Sequence, residues 1–265
     1  MIPVSVVIIA KNEADVIATC INAAKLITDD ILIIDNHSTD ATFEIAQAQG
    51  CRVYQKNWDG YGANKNKGIE LAKYNWILSV DADEVIDLEL VLSLHNLKLD
   101  NTAIVYDIKF KSYYGEKLIR YGNWGRDHHI RLFNRTLVKW SEPSVHETLL
   151  LPKKIKTERL EGYIHHYSVR DSYECNNKAL YYARLSAEKY LQTGKRVNAV
   201  NLYISPAFSV VKNYILLLGF LDGKEGWSIA KMTYKNKWLK YHYLQLMENS
   251  IKKRLYTKAN LAIEY

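Results

Sequence analysis

The first 83 residues alternate between short apolar runs and longer stretches of mixed polarity. Val4 to Ala10 is a nearly continuous apolar run, the pattern of a parallel strand covered on both faces. Ala14 to Leu26 predicts a helix, and Ile31 to Ile34 a second strand. Asp40 is placed to cap a helix over Ala41 to Gln49, which Gly50 closes. Arg52 to Gln55 predicts a third strand, Ala63 to Ala72 a third helix, and Trp76 to Val80 a fourth strand. This β-α-β-α-β-α-β order implies a mainly parallel sheet built with right-handed crossovers. Ligands of such sheets gather beyond the carboxyl ends of the strands.

From Asn101 the pattern changes. Strands are expected over Ala103 to Phe110, Arg131 to Asn134 and Leu137 to Trp140, with aromatic and polar residues in the connections. This reads as the second half of one domain, 1–100 being its first half and 101–170 its second. From Asp171 a helical pattern runs through Ala179, Ala183, Ala187 and Leu191 to Gly194, opening an extension over 171–265. Its most hydrophobic window, Tyr203 to Leu221, contains Pro206, Lys212 and Asn213. It lacks the clean apolar length of a spanning helix and predicts an interfacial one.

Composition changes the picture in one place. Hydrophobic residues at 48% and charged residues at 25% are ordinary for a domain with a real core. The net charge of +7, however, sits wholly in the extension, where Gly223 to Lys258 carries nine Lys/Arg against Glu225 and Glu248. Interleaved with these are Trp227, Tyr234, Trp238, Tyr241, Tyr243 and Tyr256. That mixture suits an anionic membrane surface, and no nucleic-acid partner is expected. Cys20, Cys51 and Cys175 form no CxxC pair and fit a reducing compartment. The first residues lack the basic region of a secretory leader.

The residues after the four strands all include acids: Lys11-Asn12-Glu13, Asp35-Asn36-His37-Ser38, Asp59-Gly60-Tyr61-Gly62 and Asp81-Ala82-Asp83-Glu84. In Asp81-Ala82-Asp83, residues two apart on an extended segment point to one side, so both carboxylates can converge on a hard cation, magnesium or manganese. No GxGxxG follows the first strand and no GxxxxGK[ST] occurs, which removes the main support for dinucleotide and P-loop readings. Asp35 can accept hydrogen bonds from a base or ribose, or serve as a turn cap. Gly60 and Gly62 permit a tight backbone beside a ligand, and Lys65 and Asn66 fall in the first turn of a helix, where an anion can rest. Glu147, in Val145-His146-Glu147, is a candidate general base. His165 or His166 can add a metal ligand.

Taken together, Val4 to Glu13, Asp35 to Asp40, Trp58 to Asn66 and Trp76 to Glu84 resemble bacterial glycosyltransferases of family 2, of GT-A fold. The nearest likeness is to the branch containing lipopolysaccharide core β-1,4-glucosyltransferases. Arg131-Leu132-Phe133, Val145-His146-Glu147, His166-Tyr167-Ser168 and Leu218 to Gly223 extend the resemblance over nearly the whole chain. His37 stands where the family often has glycine in DxGSxD.

The resemblance implies an α/β GT-A domain with a mixed sheet flanked by helices, and a helical, membrane-associating extension. It implies inverting transfer of a hexose from a nucleotide-diphospho-sugar, UDP-glucose being the nearest expectation, to a saccharide or glycolipid acceptor of the cell envelope. Asp35 would read the base with Asn12 and Glu13 beside it, and Lys65 would sit near base or phosphates. Asp81 would meet ribose or metal, and Arg131 would face the phosphates. Asp83 and His166 would ligate a divalent cation, Mg or Mn, and Glu147 would act as base. A cytoplasmic enzyme, peripheral on the inner face of the membrane, is expected. The polybasic tail motivates a second reading, an inactive membrane- or nucleic-acid-binding protein on a transferase-like scaffold.

Overall fold

The structure, a computed structural model, describes the backbone of residues 1–142, 147–169 and 172–263 and, of these, the side chains other than 168, 172–178 and 252–263. Val145 and His146, the expected helix start at Asp171 and the side chains of the tail from Lys252 onward therefore lie outside the described residues.

Two compact units form. The first comprises Met1–Leu118 and Trp124–Ser168, the second Ile119–Asn123 and Val169–Tyr265.

The first unit is the expected mixed α/β layer. Strands β1 (Val4–Ala10), β2 (Asp30–Asp35), β3 (Arg52–Gln55) and β4 (Trp76–Asp81) pair in parallel in the order β3-β2-β1-β4. Helices α1 (Ala14–Lys25), α2 (Thr42–Ala48) and α3 (Tyr61–Leu71) connect them. The apolar runs have a physical cause. On β1, Val4, Val6, Ile8 and Ala10 pack into one core with Ile17 and Ile21 of α1, while Val7 joins a second core with Ile69 of α3. Successive side chains point to opposite faces, so a strand with both faces covered must be apolar at nearly every position. Each such fully buried isoleucine contributes about 1.5–3 kcal/mol.

The sheet continues through antiparallel strands. β4 pairs with β8 (His128–Asn134), β8 with β6 (Ile104–Tyr114), and β6 borders β11 (Lys156–Val169), which pairs with the short β5 (Glu84–Ile86). Three features go beyond the sequence reading. β5 and the helix α4 (Leu88–His95) follow the last strand expected in the first half. β11 is a single 14-residue strand carrying both histidines. Helix α3 starts at Tyr61, two residues earlier than expected, which moves Lys65 and Asn66 into its second turn.

A small hairpin stands apart from the main sheet. β9 (Lys139–Trp140) pairs with β10 (Leu149–Leu150), while β7 (Lys117–Leu118) turns back to pair antiparallel with β6 in the main sheet. Asn66 of α3 clamps β9, since the Trp140 N–H donates to its side-chain oxygen at 2.9 Å and its amide donates to the Trp140 carbonyl at 2.9 Å. Gly62 brings helix and hairpin close: a Cβ there would lie 1.9 Å from the Ser141 carbonyl oxygen. The glycine expected beside a ligand thus makes room for the protein's own backbone.

The second unit is helical, as expected of the extension. Helix α5 (Ser172–Gln192) packs on the 41-residue α7 (Gly223–Ile263). Between them the window expected as one interfacial helix is broken. The short α6 (Ser205–Val210) is flanked by π-wound turns at Val200–Ile204 and Val211–Leu216, and Leu218 turns left-handed at φ 60°. Among the described residues no single helix is long and apolar enough to cross a membrane; Val200–Leu216 and Gly219–Ile251 qualify only as a pair bent by 73°. Between Tyr203 and Leu221 six large apolar side chains, Tyr203, Ile204, Phe208, Ile215, Leu216 and Leu221, are more than half exposed.

The Leu218 to Gly223 motif has a structural role here. Asp222 is buried and accepts from the backbone N–H groups of Arg120 at 3.2 Å and Tyr121 at 2.9 Å. Asn213 accepts from the Asn123 N–H at 2.7 Å. Two buried side chains thereby hold residues 119–123 in the helical unit.

Candidate active site

The acids expected on one rim divide into two groups. Asp35, fully buried at the end of β2, accepts from the Ser38 hydroxyl at 2.5 Å, the Ser38 N–H at 3.2 Å and the Gln55 amide at 3.1 Å. Asn12, at φ 57°, accepts from the Thr39 N–H at 2.8 Å, and its own N–H donates to Ser38 at 2.9 Å. The Glu13 N–H donates to Thr42 at 2.8 Å. Asp40 receives the Ala14 and Thr42 N–H groups, so it ties α1 to α2 instead of capping α2 alone. These contacts shape the loop after β2. His37 in that loop sits at φ 54°, the left-handed region glycine favours, which is a physical reason for glycine at this position of DxGSxD.

The second group is electrostatic. Asp81 ends β4, Ala82 and Asp83 form a turn, and Glu84 begins β5. The two aspartates are therefore not on one extended segment. Asp81 lies 3.2 Å from Lys65 Nζ and 3.2 Å from Arg131 Nη2. Arg131 also binds Glu84, and the Asp81 N–H donates to Glu84 at 2.9 Å. Asp83 instead faces His166, with 3.4 Å between Oδ2 and Nε2. Register explains the second pairing: β11 places His166 opposite Glu84, and the Tyr167 N–H donates to the Asp83 carbonyl at 3.0 Å.

Lys65 is the centre of the arrangement. It is 3% exposed, and its ammonium reaches Glu147 Oε1 at 3.1 Å as well as Asp81, while lying 4.6 Å from the centroid of the Trp140 ring. A buried lysine stays charged only when paired, and two carboxylates and an aromatic face supply that pairing. Lys65, Asp81, Arg131, Trp140 and Glu147 share the wall of a cavity of about 650 Å³.

The charges are tuned by burial and by each other. Burial would raise the Asp81 carboxyl, but Lys65 and then Arg131 hold it well below the usual carboxylate range. Burial pushes the Glu84 carboxyl up to about 7, opposed by Arg131 and reinforced by Asp81. Burial would lower Arg131, yet Glu84 and Asp81 keep it above its ordinary value. Burial would lower His166 too, but its hydrogen bond to Asp83 carries it to about 9.

Among the described residues no three His, Cys, Asp or Glu side chains group closely enough to enclose a metal ion. Asp83 and His166 form a pair of carboxylate oxygen and imidazole nitrogen. This donor set fits a hard cation that keeps water and substrate phosphates as its other ligands. Asp81 itself is already engaged by two cationic side chains. The Arg131 Nε and Trp140 Nε1 donors are buried without acceptors among the described residues.

Sequence reasoning gave no role to two members of this site. Glu84, 1% exposed, follows the aspartate pair directly and could have been found by that adjacency. Trp140 carries no local signal, nor does the 2.7 Å contact of Asn36 with Asn64, which joins the loop after β2 to α3.

Relatives place this geometry in a family. The profile of Glycosyl transferase family 2 matches residues 5–156. An uncharacterised glycosyltransferase of Rickettsia typhi is 28% identical over 238 residues, covering 84% of this chain and 80% of the relative. A lipopolysaccharide core biosynthesis glycosyltransferase of Rhizobium meliloti, LpsC, is 26% identical over 250 residues, covering 88% and 90%. Among solved structures, S. aureus TarS matches 92% of each chain with 16% identity and a TM-score of 0.47. The match over more than half its length shows that the chain belongs to glycosyl transferase family 2.

Proposed function

We propose that this nucleotide-sugar-dependent glycosyltransferase moves a hexose by a single inverting displacement to an acceptor of the cell envelope, with Glu147 as base. The observation that carries this reading is the position of Lys65. It joins Asp81, at the turn expected to serve the donor, to Glu147, the expected base, within one cavity.

In this mechanism Glu147 takes the proton of the acceptor hydroxyl as that oxygen attacks the anomeric carbon. The bond from that carbon to the diphosphate breaks on the opposite side, and the nucleoside diphosphate departs with the electron pair. Lys65 and Arg131 hold positive charge beside the cavity as negative charge moves to the leaving group. A divalent cation held by Asp83 and His166 would supply further neutralisation of the diphosphate. Lys65 also orients Glu147, and exchange of that contact for a substrate hydroxyl would free the carboxylate to accept a proton.

Asp35, Asn12 and Glu13 border the donor side, where the proposed nucleobase would lie. UDP-glucose is the donor to test first, on the strength of the lipopolysaccharide-core resemblance and the name of the Rhizobium relative. The exposed apolar side chains between Tyr203 and Leu221, with the basic α7, support docking of the helical unit on an anionic membrane, at the cytoplasmic face, beside a lipid-linked acceptor.

The test is a panel of nucleotide sugars screened by ligand-observed NMR with magnesium or manganese. It is followed by measurement of nucleoside diphosphate release with a glycolipid acceptor. Binding of a UDP-hexose with metal-dependent release supports the reading. Full turnover by both Asp83→Ala and Glu147→Ala would overturn it.

A further inference from the structure

The cavity that holds Glu147 has a second charged cluster in its wall that the proposed chemistry leaves unused: Asp107 on β6, His128 on β8 and Arg159 on β11. Asp107 is 6% exposed and receives three hydrogen bonds. Arg159 donates to Oδ2 through Nε at 3.0 Å and Nη2 at 2.8 Å. His128 donates from Nδ1 to Oδ1 at 2.8 Å. A carboxylate buried this deeply is sustained by such partners, and in return it fixes their orientation.

The partners themselves stay accessible. The side chains of Arg159 and His128 are 50% and 53% exposed, against 8% for Asp107. Since the carboxylate uses only one edge of the guanidinium, Nη1 has no acceptor among the described residues. His128 uses only Nδ1 on Asp107, and its Nε2 donates to an anion when the ring carries both protons. A planar guanidinium held at one edge and presented at the other is suited to binding an oxyanion with two oxygens in one plane.

We propose that Arg159 and His128, positioned by Asp107, form a subsite for an anionic group, phosphate or carboxylate, on the acceptor saccharide. This rests on the transferase reading above, because Glu147 in the same cavity marks where the acceptor hydroxyl would stand. The subsite would recognise acidic acceptors and set the distance between the anion and the hydroxyl that reacts. Nothing in the donor's own chemistry requires it, since the proposed diphosphate site lies with Asp83 and His166.

The experiment uses the full chain saturated with UDP and magnesium, so that the donor's phosphate site is filled. Inorganic phosphate or acetate is titrated while the Arg159 Nε–H and His128 imidazole resonances are followed by NMR. Expected is a saturable shift, with a dissociation constant raised at least about tenfold in Arg159→Gln and in His128→Gln. Their UDP affinity is expected to stay unchanged. Tighter binding of phosphate than acetate identifies a phosphorylated acceptor, and the reverse a carboxylated one. Because Arg159→Gln leaves Asp107 buried with one partner fewer, His128→Gln, at a half-exposed position, keeps the test open if the first variant unfolds. Absence of a saturable shift with either anion, or its retention in both folded variants, overturns the subsite. Failure of UDP to bind would count against the transferase reading instead, and the anion titration can still be read without it.

Discussion

Lys65 Nζ lies 3.1 Å from Glu147 Oε1, although the two residues are 82 apart in the chain. The same ammonium lies 3.2 Å from Asp81, so one buried cation connects the end of a parallel strand to a hairpin loop. Replacing Lys65 by methionine keeps the volume of the stem and removes the charge. We expect kcat/KM for sugar transfer to fall about 10²-fold, the loss that misplacing a reacting group brings. Lys65→Met and Glu147→Gln should be strongly non-additive, since they disable one unit. Steady-state kinetics on both single variants and the double variant checks this; simple additivity would show that the contact has no catalytic meaning.

Asp83 and His166 face each other, and Asp81 is engaged elsewhere. Asp83→Asn and His166→Gln should each weaken magnesium- or manganese-dependent binding of UDP at least about tenfold, as even outer groups of metal sites do when altered. Calorimetry with metal and with a chelator separates the effect. Equal losses under both conditions would move these residues away from the ion.

Glu84 is 1% exposed and bound to Arg131, itself 6% exposed. Glu84→Gln leaves the guanidinium with Asp81 alone. Breaking one side of a buried ion pair costs about 3 kcal/mol, and that loss should be visible in urea denaturation. A change smaller than about 1 kcal/mol would mean that Asp81 suffices.

His37 is exposed and held at φ 54°. Glycine there should raise stability by about 0.5–1 kcal/mol, because it removes the left-handed strain of a residue with a Cβ. Thermal and chemical unfolding of His37→Gly measures it, and a loss of stability would show that the imidazole makes a contact worth more than the strain.

Phe208 and Leu216 are 55% and 61% exposed. Phe208→Glu with Leu216→Glu should abolish sedimentation with anionic vesicles while the protein stays folded, and binding by the parent chain should weaken as salt rises. Undiminished vesicle binding by the double variant would leave the basic helix as the sole anchor.

The sequence was most legible where structure follows from local pattern. β1, β2 and β4 were found because burial on both faces forces apolar runs, and their alternation with α1 to α3 implied the crossovers. β11 was not, because its solvent side carries Thr157, Arg159 and Glu161 and disguises one long strand as a polar stretch. β5 has only three residues, too few for any period to register. At the site, residue types were readable and their partners were not. Arg131 meets Glu84 across 47 residues, and Lys65 lies under a tryptophan from another element. The convergence expected of Asp81 and Asp83 failed for the same reason: the turn between β4 and β5 gives each a different distant partner.

Residues 119–123 leave the catalytic unit, are held by Asn213 and Asp222, and return before β8. The chain therefore crosses between its units three times, at 118/119, 123/124 and 168/169. A truncation after residue 168 would not isolate a catalytic domain, since it would strip that excursion of its buried acceptors. Exchange of the extension between relatives would succeed only if both segments travelled together, so any acceptor preference residing in it must be inherited along with a stretch of the catalytic half.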